Sequence, residues 1–243
     1  MALLESFLDA TLVGYTKAGV AARGISIDER FPEVEGKHVV VTGATGGIGR
    51  AVTQRLAANG AVVHAVGRSS QKMSKLVEET IGSVVPYVTD LSLMADVALL
   101  ADHIVESDVP LGGLVNNVGV MSADRTTTSE GFETTYALNL LGQFVLSAKL
   151  MPMLARSGRA RVVNVSSGGM YSQQLTAKHI DSPLEPYDGT AAYARTKRGQ
   201  VFLAKHWATE WAEAGISVNS MHPGWVDTEG VRNSLPTFRR LTR

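Results

Sequence analysis

The stretch KHVVVTGATGGIGR, Lys37 to Arg50, is the one from which the rest of the chain can be placed. Val39, Val40 and Val41 are β-branched and apolar, which suits a central strand buried on both faces. Gly43, Gly47 and Gly49 follow at spacings of four and two. Missing Cβ atoms there let backbone approach a ligand and let a helix pack close to the strand. A helix opening at this turn would aim free N–H groups and its positive end at an anion, most naturally a pyrophosphate. A glycine-rich turn with no ligand has the same composition; the strand before it and the helix after it favour the phosphate reading.

Bulk properties narrow the classes. The 243 residues suit one large α/β domain or two small ones, and 44% apolar with 19% charged residues describes a globular chain. Lys plus Arg and Asp plus Glu both number 23, so no overall field argues for nucleic acid or an anionic membrane as partner. The absence of cysteine excludes disulfides, thiolate metal sites and a cysteine nucleophile, and suits a reducing compartment such as the cytoplasm. The first lysine is residue 17, so the amino terminus lacks the basic start of a secretory signal. No run of about 18 uncharged apolar residues occurs, so no membrane span is expected.

Residues 1–36 stand apart from the turn. Leu3, Leu4, Phe7, Leu8 and Leu12 recur at helical spacing with Glu5 and Asp9 on another face, predicting an amphipathic helical extension that packs on the body of the protein, a membrane surface or a partner. From His38 onward short β-branched runs alternate with longer helical patterns, the βαβ signature of a doubly wound, Rossmann-type parallel sheet flanked by helices. Strands are expected over 38–42, 61–66, 84–89, 112–116, 160–166 and 216–221, and helices over 47–59, 70–80, 93–107, 129–154 and 190–214. No linker or repeat interrupts this, so 37–243 is read as a single domain.

Candidate site residues fall at strand ends. Arg68 follows the second strand where an acidic residue would grip the ribose 2′-OH of NAD; a guanidinium there favours the 2′-phosphate of NADP, or is a solvated loop arginine. Asp90-Leu91 ends the third strand, where the carboxylate meets an adenine amino group or caps the next helix. Asn116-Asn117-Val118-Gly119 closes the fourth, at the crevice where strand order reverses, although paired asparagines also make turns. Asn139 lies among Leu138, Leu140 and Leu141, so it is a satisfied core amide or part of a site. Ser166 and Ser167 reach the same rim. Tyr193 and Lys197 are four apart on a helix and share a face, and a cation beside a phenol lowers its pKa toward neutrality. His222 has no second ligand at a suitable spacing, so no metal site is expected.

Together these residues resemble the short-chain dehydrogenase/reductase family, over about Lys37 to Thr228. Thr42 to Gly49, including Thr45 and Ile48, is similar to its cofactor turn, Asp90 and Leu91 to its adenine contact, and Asn117-Val118-Gly119 to its strand-four motif, with Val118 where Ala is usual. Asn139, Ser167, Tyr193 and Lys197 match its catalytic tetrad; Pro223, Gly224, Val226 and Thr228 match the segment that receives the nicotinamide. Ser166 to Met170, Tyr187 to Thr190 and His222 to Trp225 are, more narrowly, similar to the dehydrogenase/reductase member 12 group. The family's core continues with a further helix and a seventh strand, so the domain is expected to be carboxyl-terminally truncated.

The resemblance implies NADP(H)-dependent interconversion of a carbonyl and an alcohol. Tyr193 serves as acid/base, Ser167 holds the substrate oxygen, Lys197 lowers the Tyr193 pKa and binds ribose, and Asn139 positions a water. Met121, Met170, Tyr171 and Trp225 suggest a hydrophobic substrate. The family's long fourth and fifth helices imply a homo-oligomer when the chain is full length. A catalytically silent NADP-binding scaffold is the alternative.

Overall fold

The computed structural model describes residues 32–181 and 186–224. Strand β1 (His38–Thr42) buries Val39, Val40 and Val41 on alternating faces, as a β-branched run in a central strand must. Around it lie β2 (Val62–Gly67), β3 (Ser83–Val88), β4 (Leu111–Asn116), β5 (Ala160–Val165) and β6 (Ile216–Met221) in the order β3-β2-β1-β4-β5-β6. Every neighbouring pair is parallel. Strand order therefore reverses between β1 and β4, which opens the crevice at their carboxyl ends.

Among the described residues five helices cover the sheet: α1 (Gly47–Ala58), α2 (Ser70–Glu79), α3 (Met94–Glu106), α4 (Thr134–Arg156) and α5 (Gly189–Glu210). Val39, Val41, Val63 and Ala65 pack with Ala57, Met73 and Leu76 of α1 and α2. Val40, Leu114 and Val162 face the other way into Leu100, Ile104, Leu146, Leu150, Leu154 and Trp207 of α3, α4 and α5. Each fully buried leucine contributes about 2 kcal/mol. Trp207 stacks between Trp211 and Phe144 at ring separations of 4.5 and 5.7 Å, tying α5 to α4.

Expected elements match to within a few residues, with three informative exceptions. Helix α4 starts at Thr134, not near 129, because Thr127 and Glu133 form an antiparallel bridge across Gly131 at φ 88°. The Glu133 carboxylate then caps the helix, accepting from Thr135 N at 2.8 Å and Tyr136 N at 2.7 Å. The helix also widens into a π turn over Ala137–Leu141, a distortion that periodicity does not announce. Helix α5 stops at Glu210, and Gly215 at φ 72° turns the chain into β6.

By length and composition α4 could cross a membrane, but 61% of its most apolar window is buried in the protein, as in a core helix. The predicted amphipathic helix lies outside the described residues.

Candidate active site

The glycine turn is built by close approach. Gly43 and Gly47 have φ of 65° and 50°, the left-handed region that favours glycine. A Cβ on Gly49 would strike the Gly43 carbonyl oxygen and the Asn117 amide, so α1 lies against the turn only because that atom is missing. Gly46 caps α1 with no side-chain hydrogen bond, and a Cβ there would meet nothing within 4 Å. No side chain therefore caps the first turn of α1, whose N–H groups are left for a ligand such as a pyrophosphate. Thr45 and Ile48 are half-buried beside them. Across the turn Ala44 N donates to Val66 O at 3.0 Å, joining it to β2.

The strand-four motif locks onto the same turn. Asn117 donates its side-chain amide to Thr42 O at 2.9 Å, while the Thr42 hydroxyl accepts from Asn117 N at 2.9 Å and Val118 N at 3.1 Å. Asn116 points inward instead, bonded to Ser147 Oγ and Asn164 Oδ1, both at 2.9 Å. The Val118 side chain packs against the α3–α5 core. Arg68 is exposed immediately after Gly67, and Ser69 beside it caps α2. Leu91 is core. Asp90 Oδ1 accepts from Ser92 N at 2.9 Å and Ser92 Oγ at 2.8 Å, forming a turn ahead of α3, while the first N–H groups of α3, on Met94 and Ala95, donate to the Glu130 carboxylate at 2.7 and 3.0 Å.

Beyond the crevice, Ser167, Tyr193, Lys197 and Asn139 converge from the β5 end, α5 and the π turn. Ser167 stands beside Tyr193: a Cβ on Gly169 would lie 3.7 Å from Ser167 Oγ and 4.0 Å from Tyr193 Cε1. Lys197 is 3% exposed; its Nζ donates to Val165 O at 2.8 Å and stands 5.8 Å from the Tyr193 ring centre. Burial pulls the Lys197 pKa down to about 7, so the amine is divided between its two protonation states near neutral pH. Burial also raises the Tyr193 pKa, against the lowering influence of Ser167. The phenol is thus pushed up by burial, where the Tyr193–Lys197 spacing alone led to an expected lowering.

Asn139 resolves its two alternatives in an unexpected way. Its Oδ1 accepts from Val120 N and its Nδ2 donates to Val120 O, both at 2.8 Å, with Thr196 Oγ1 3.2 Å away. The side chain is satisfied while clasping the backbone beside the site.

Gly224 has φ 72° and donates its N–H to His222 Nδ1 at 3.2 Å; Pro223 lies between them, and the Tyr171 ring meets His222 edge-on. Burial lowers the His222 pKa. Trp225, Val226 and Thr228 lie outside the described residues. Tyr187-Asp188-Gly189 seats α5: Tyr187 donates to Glu133 at 3.1 Å, Asp188 caps the helix, and Gly189 leaves room for the Ser122 carbonyl. Sequence reasoning missed Gln143, Thr196 and Gln200. The available signal was spacing: Gln143 lies four residues after Asn139, and Gln200 three after Lys197, so both share the faces of those residues.

The arrangement can hold a dinucleotide across β1 and β4 and present a hydroxyl pair with a buried amine to its reactive end. Comparisons agree with that geometry. The short chain dehydrogenase family model matches residues 37–237. Dehydrogenase/reductase SDR family member 12 of Bos taurus is 37% identical over 231 residues, 92% of this chain and 72% of the relative. A polyprenol dehydrogenase of Homo sapiens is 34% identical over 218 residues, 85% of this chain and 66% of the relative. Among solved structures, a short-chain dehydrogenase from Sphingobium yanoikuyae in complex with NADPH superposes with a TM-score of 0.66 at 26% identity, covering 82% of this chain and 75% of that one. Fold, motif order and these likenesses converge: the chain belongs to the short-chain dehydrogenase/reductase family of NAD(P)-dependent oxidoreductases.

Proposed function

We propose that the protein interconverts a carbonyl and an alcohol on an apolar substrate, with NADP(H) as cofactor and Tyr193 as acid/base. The observation that carries this reading is the placement of Ser167 beside Tyr193, with the buried Lys197 amine 5.8 Å from the Tyr193 ring centre. The cofactor, when bound, supplies or accepts the hydride. In reduction Ser167 Oγ holds the carbonyl oxygen and Tyr193 delivers its proton to it. Lys197 then supports the phenolate and returns the proton. Asn139, through Val120, keeps the neighbouring backbone in place. The open first turn of α1 holds the pyrophosphate, and exposed Arg68 pairs with the 2′-phosphate.

Substrate class rests on two supports. Met170 and Tyr171 stand on the turn that follows Ser167, with Tyr171 65% exposed. One relative carries the name of a dehydrogenase for a long isoprenoid alcohol. The test is NADPH consumption by the full chain against isoprenoid and long-chain aldehydes, an aromatic ketone and a sugar aldehyde. Turnover is expected with the apolar carbonyls, at higher affinity for NADPH than NADH, with a preference that Arg68→Ala reduces at least tenfold. NADPH binding without turnover of any carbonyl would favour the scaffold reading instead.

We place self-association on the outer face of α4 and α5. A groove of about 520 Å³ lies there, and Phe144 and Phe202 beside it are 41% and 55% exposed. Sedimentation of the parent and Phe202→Glu chains tests this; a monomeric parent would refute it. A cytoplasmic site, suggested by the cysteine-free sequence, is tested by cell fractionation.

A further inference from the structure

Behind the tetrad, α4 and α5 are joined by buried amides to which the mechanism above gives no role. Gln200 is 1% exposed, and its Nε2 donates to the backbone carbonyl of Asn139 at 2.9 Å and to Gln143 Oε1. Gln143, 2% exposed, carries the connection onward by donating its own Nε2 to Val118 O at 2.6 Å. Asn139 grips the next part of that segment through both backbone groups of Val120. Val118 to Val120 is therefore held at two points by the π turn and the helix after it, and that region of α4 is held to α5 by Gln200. The segment lies directly against the buried amine: a Cβ on Gly119 would stand 3.0 Å from Lys197 Nζ and 3.6 Å from Asn139 Oδ1.

We propose that Gln200 is a positioning residue, setting the place of Val118–Val120 against Lys197 by holding the Asn139 carbonyl and the Gln143 amide together. The inference rests on the reading in which Tyr193 and Lys197 move the substrate proton. An apolar side chain of the same length would fill the volume but donate nothing. The Asn139 carbonyl and the Gln143 amide oxygen would then lose a donor in a buried setting, and the π turn would shift to find replacements. Because the same turn carries the clasp on Val120, the shift reaches the backbone over Lys197, and misplacement of about 1 Å near a reacting group costs about a hundredfold in rate.

The test compares the parent with Gln200→Met, with Gln143→Met, which cuts the same strut from α4, and with Tyr193→Phe. Turnover of an accepted carbonyl is measured at saturating NADPH across pH 6–10, alongside NADPH affinity. Gln200→Met is expected to lose at least tenfold in turnover and displace the midpoint of the pH–rate profile, with a smaller loss in NADPH affinity. Gln143→Met should do the same, and carries the test if Gln200→Met does not fold. A second measurement needs no substrate. In cofactor-free protein the folding equilibrium constant gains up to about tenfold per pH unit above 7 from Lys197, and this gain should be reduced in both variants as water reaches the amine. Parent-like turnover and profile, or a loss explained by a smaller folded fraction with the profile and pH gain unchanged, would overturn the inference. Retained turnover in Tyr193→Phe would overturn the underlying reading instead.

Discussion

Lys197→Met should make the protein more stable while removing its activity. The amine is 3% exposed and its pKa is pulled from 10.5 to about 7 by burial. A group of this kind binds fewer protons in the folded chain than in the unfolded one between those values. Stability is therefore greatest above 10.5, declines as pH falls through this window, and levels off below about 7. The full displacement corresponds to a ceiling of about 5 kcal/mol at and below neutral pH. Local relaxation and water penetration reduce it, and loss of the bond to Val165 O at 2.8 Å gives back part of the gain. Met keeps the length of the side chain without the charge. A net gain of about 2 kcal/mol at pH 7 would raise the melting temperature by about 4–8 °C for a chain of this size. Urea denaturation at pH 7 and pH 9 reads the cause: the parent should gain up to about 1.4 kcal/mol per pH unit relative to the variant. A variant less stable than the parent at pH 7, with the parent's pH dependence intact, would refute the reasoning.

Two further perturbations separate fold from site. Gly49→Ala places a Cβ against the Gly43 carbonyl oxygen and should cost about 2 kcal/mol by overpacking, with NADPH affinity reduced more than tenfold; calorimetry and fluorescence titration read the two effects. Gly46→Ala, at an extended φ of −155° and with no atom within 4 Å, should leave the melting temperature within about 2 °C yet still weaken NADPH by standing in the cradle. On the sheet, His64 is bonded to His38 at 2.9 Å and to the Tyr87 hydroxyl at 3.2 Å. Burial, then the neighbouring His38, lower its pKa to about 4. Its contribution is present above pH 6.5 and lost as pH falls toward 4, by about 3 kcal/mol at most, so acid denaturation of His64→Gln should start from a flatter stability curve than the parent's.

The fold was legible because its signals are local. A valine triplet can sit in few places other than a central strand, and glycines at 43, 47 and 49 mark a turn where the helix after the strand packs against the turn's own backbone. The tetrad was legible from order and spacing along the chain. What escaped depended on contacts between distant residues. The π turn is invisible in a run of leucines, since the groups that bond Asn139 within it, on Val120 and Gln200, are distant in sequence. The later start of α4 depends on Glu133 capping it and on Gly131 at φ 88°. The spacing of Tyr193 and Lys197 implied a cation that lowers the phenol pKa, but spacing carries no dielectric. Burial acts on both groups and moves each toward its neutral form. Asp90 was ambiguous between ligand and cap because both uses need the same carboxylate at the same strand end.

The central claim is that Tyr193 exchanges the substrate proton, and Tyr193→Phe tests it most directly because only the hydroxyl is removed. NADPH oxidation and NADPH affinity should be measured on the same preparation with a carbonyl the parent reduces. The account predicts turnover reduced by about 10²–10⁴-fold, the range for loss of a general acid, with cofactor affinity within about twofold. Turnover equal to the parent's, at unchanged cofactor affinity, would contradict it.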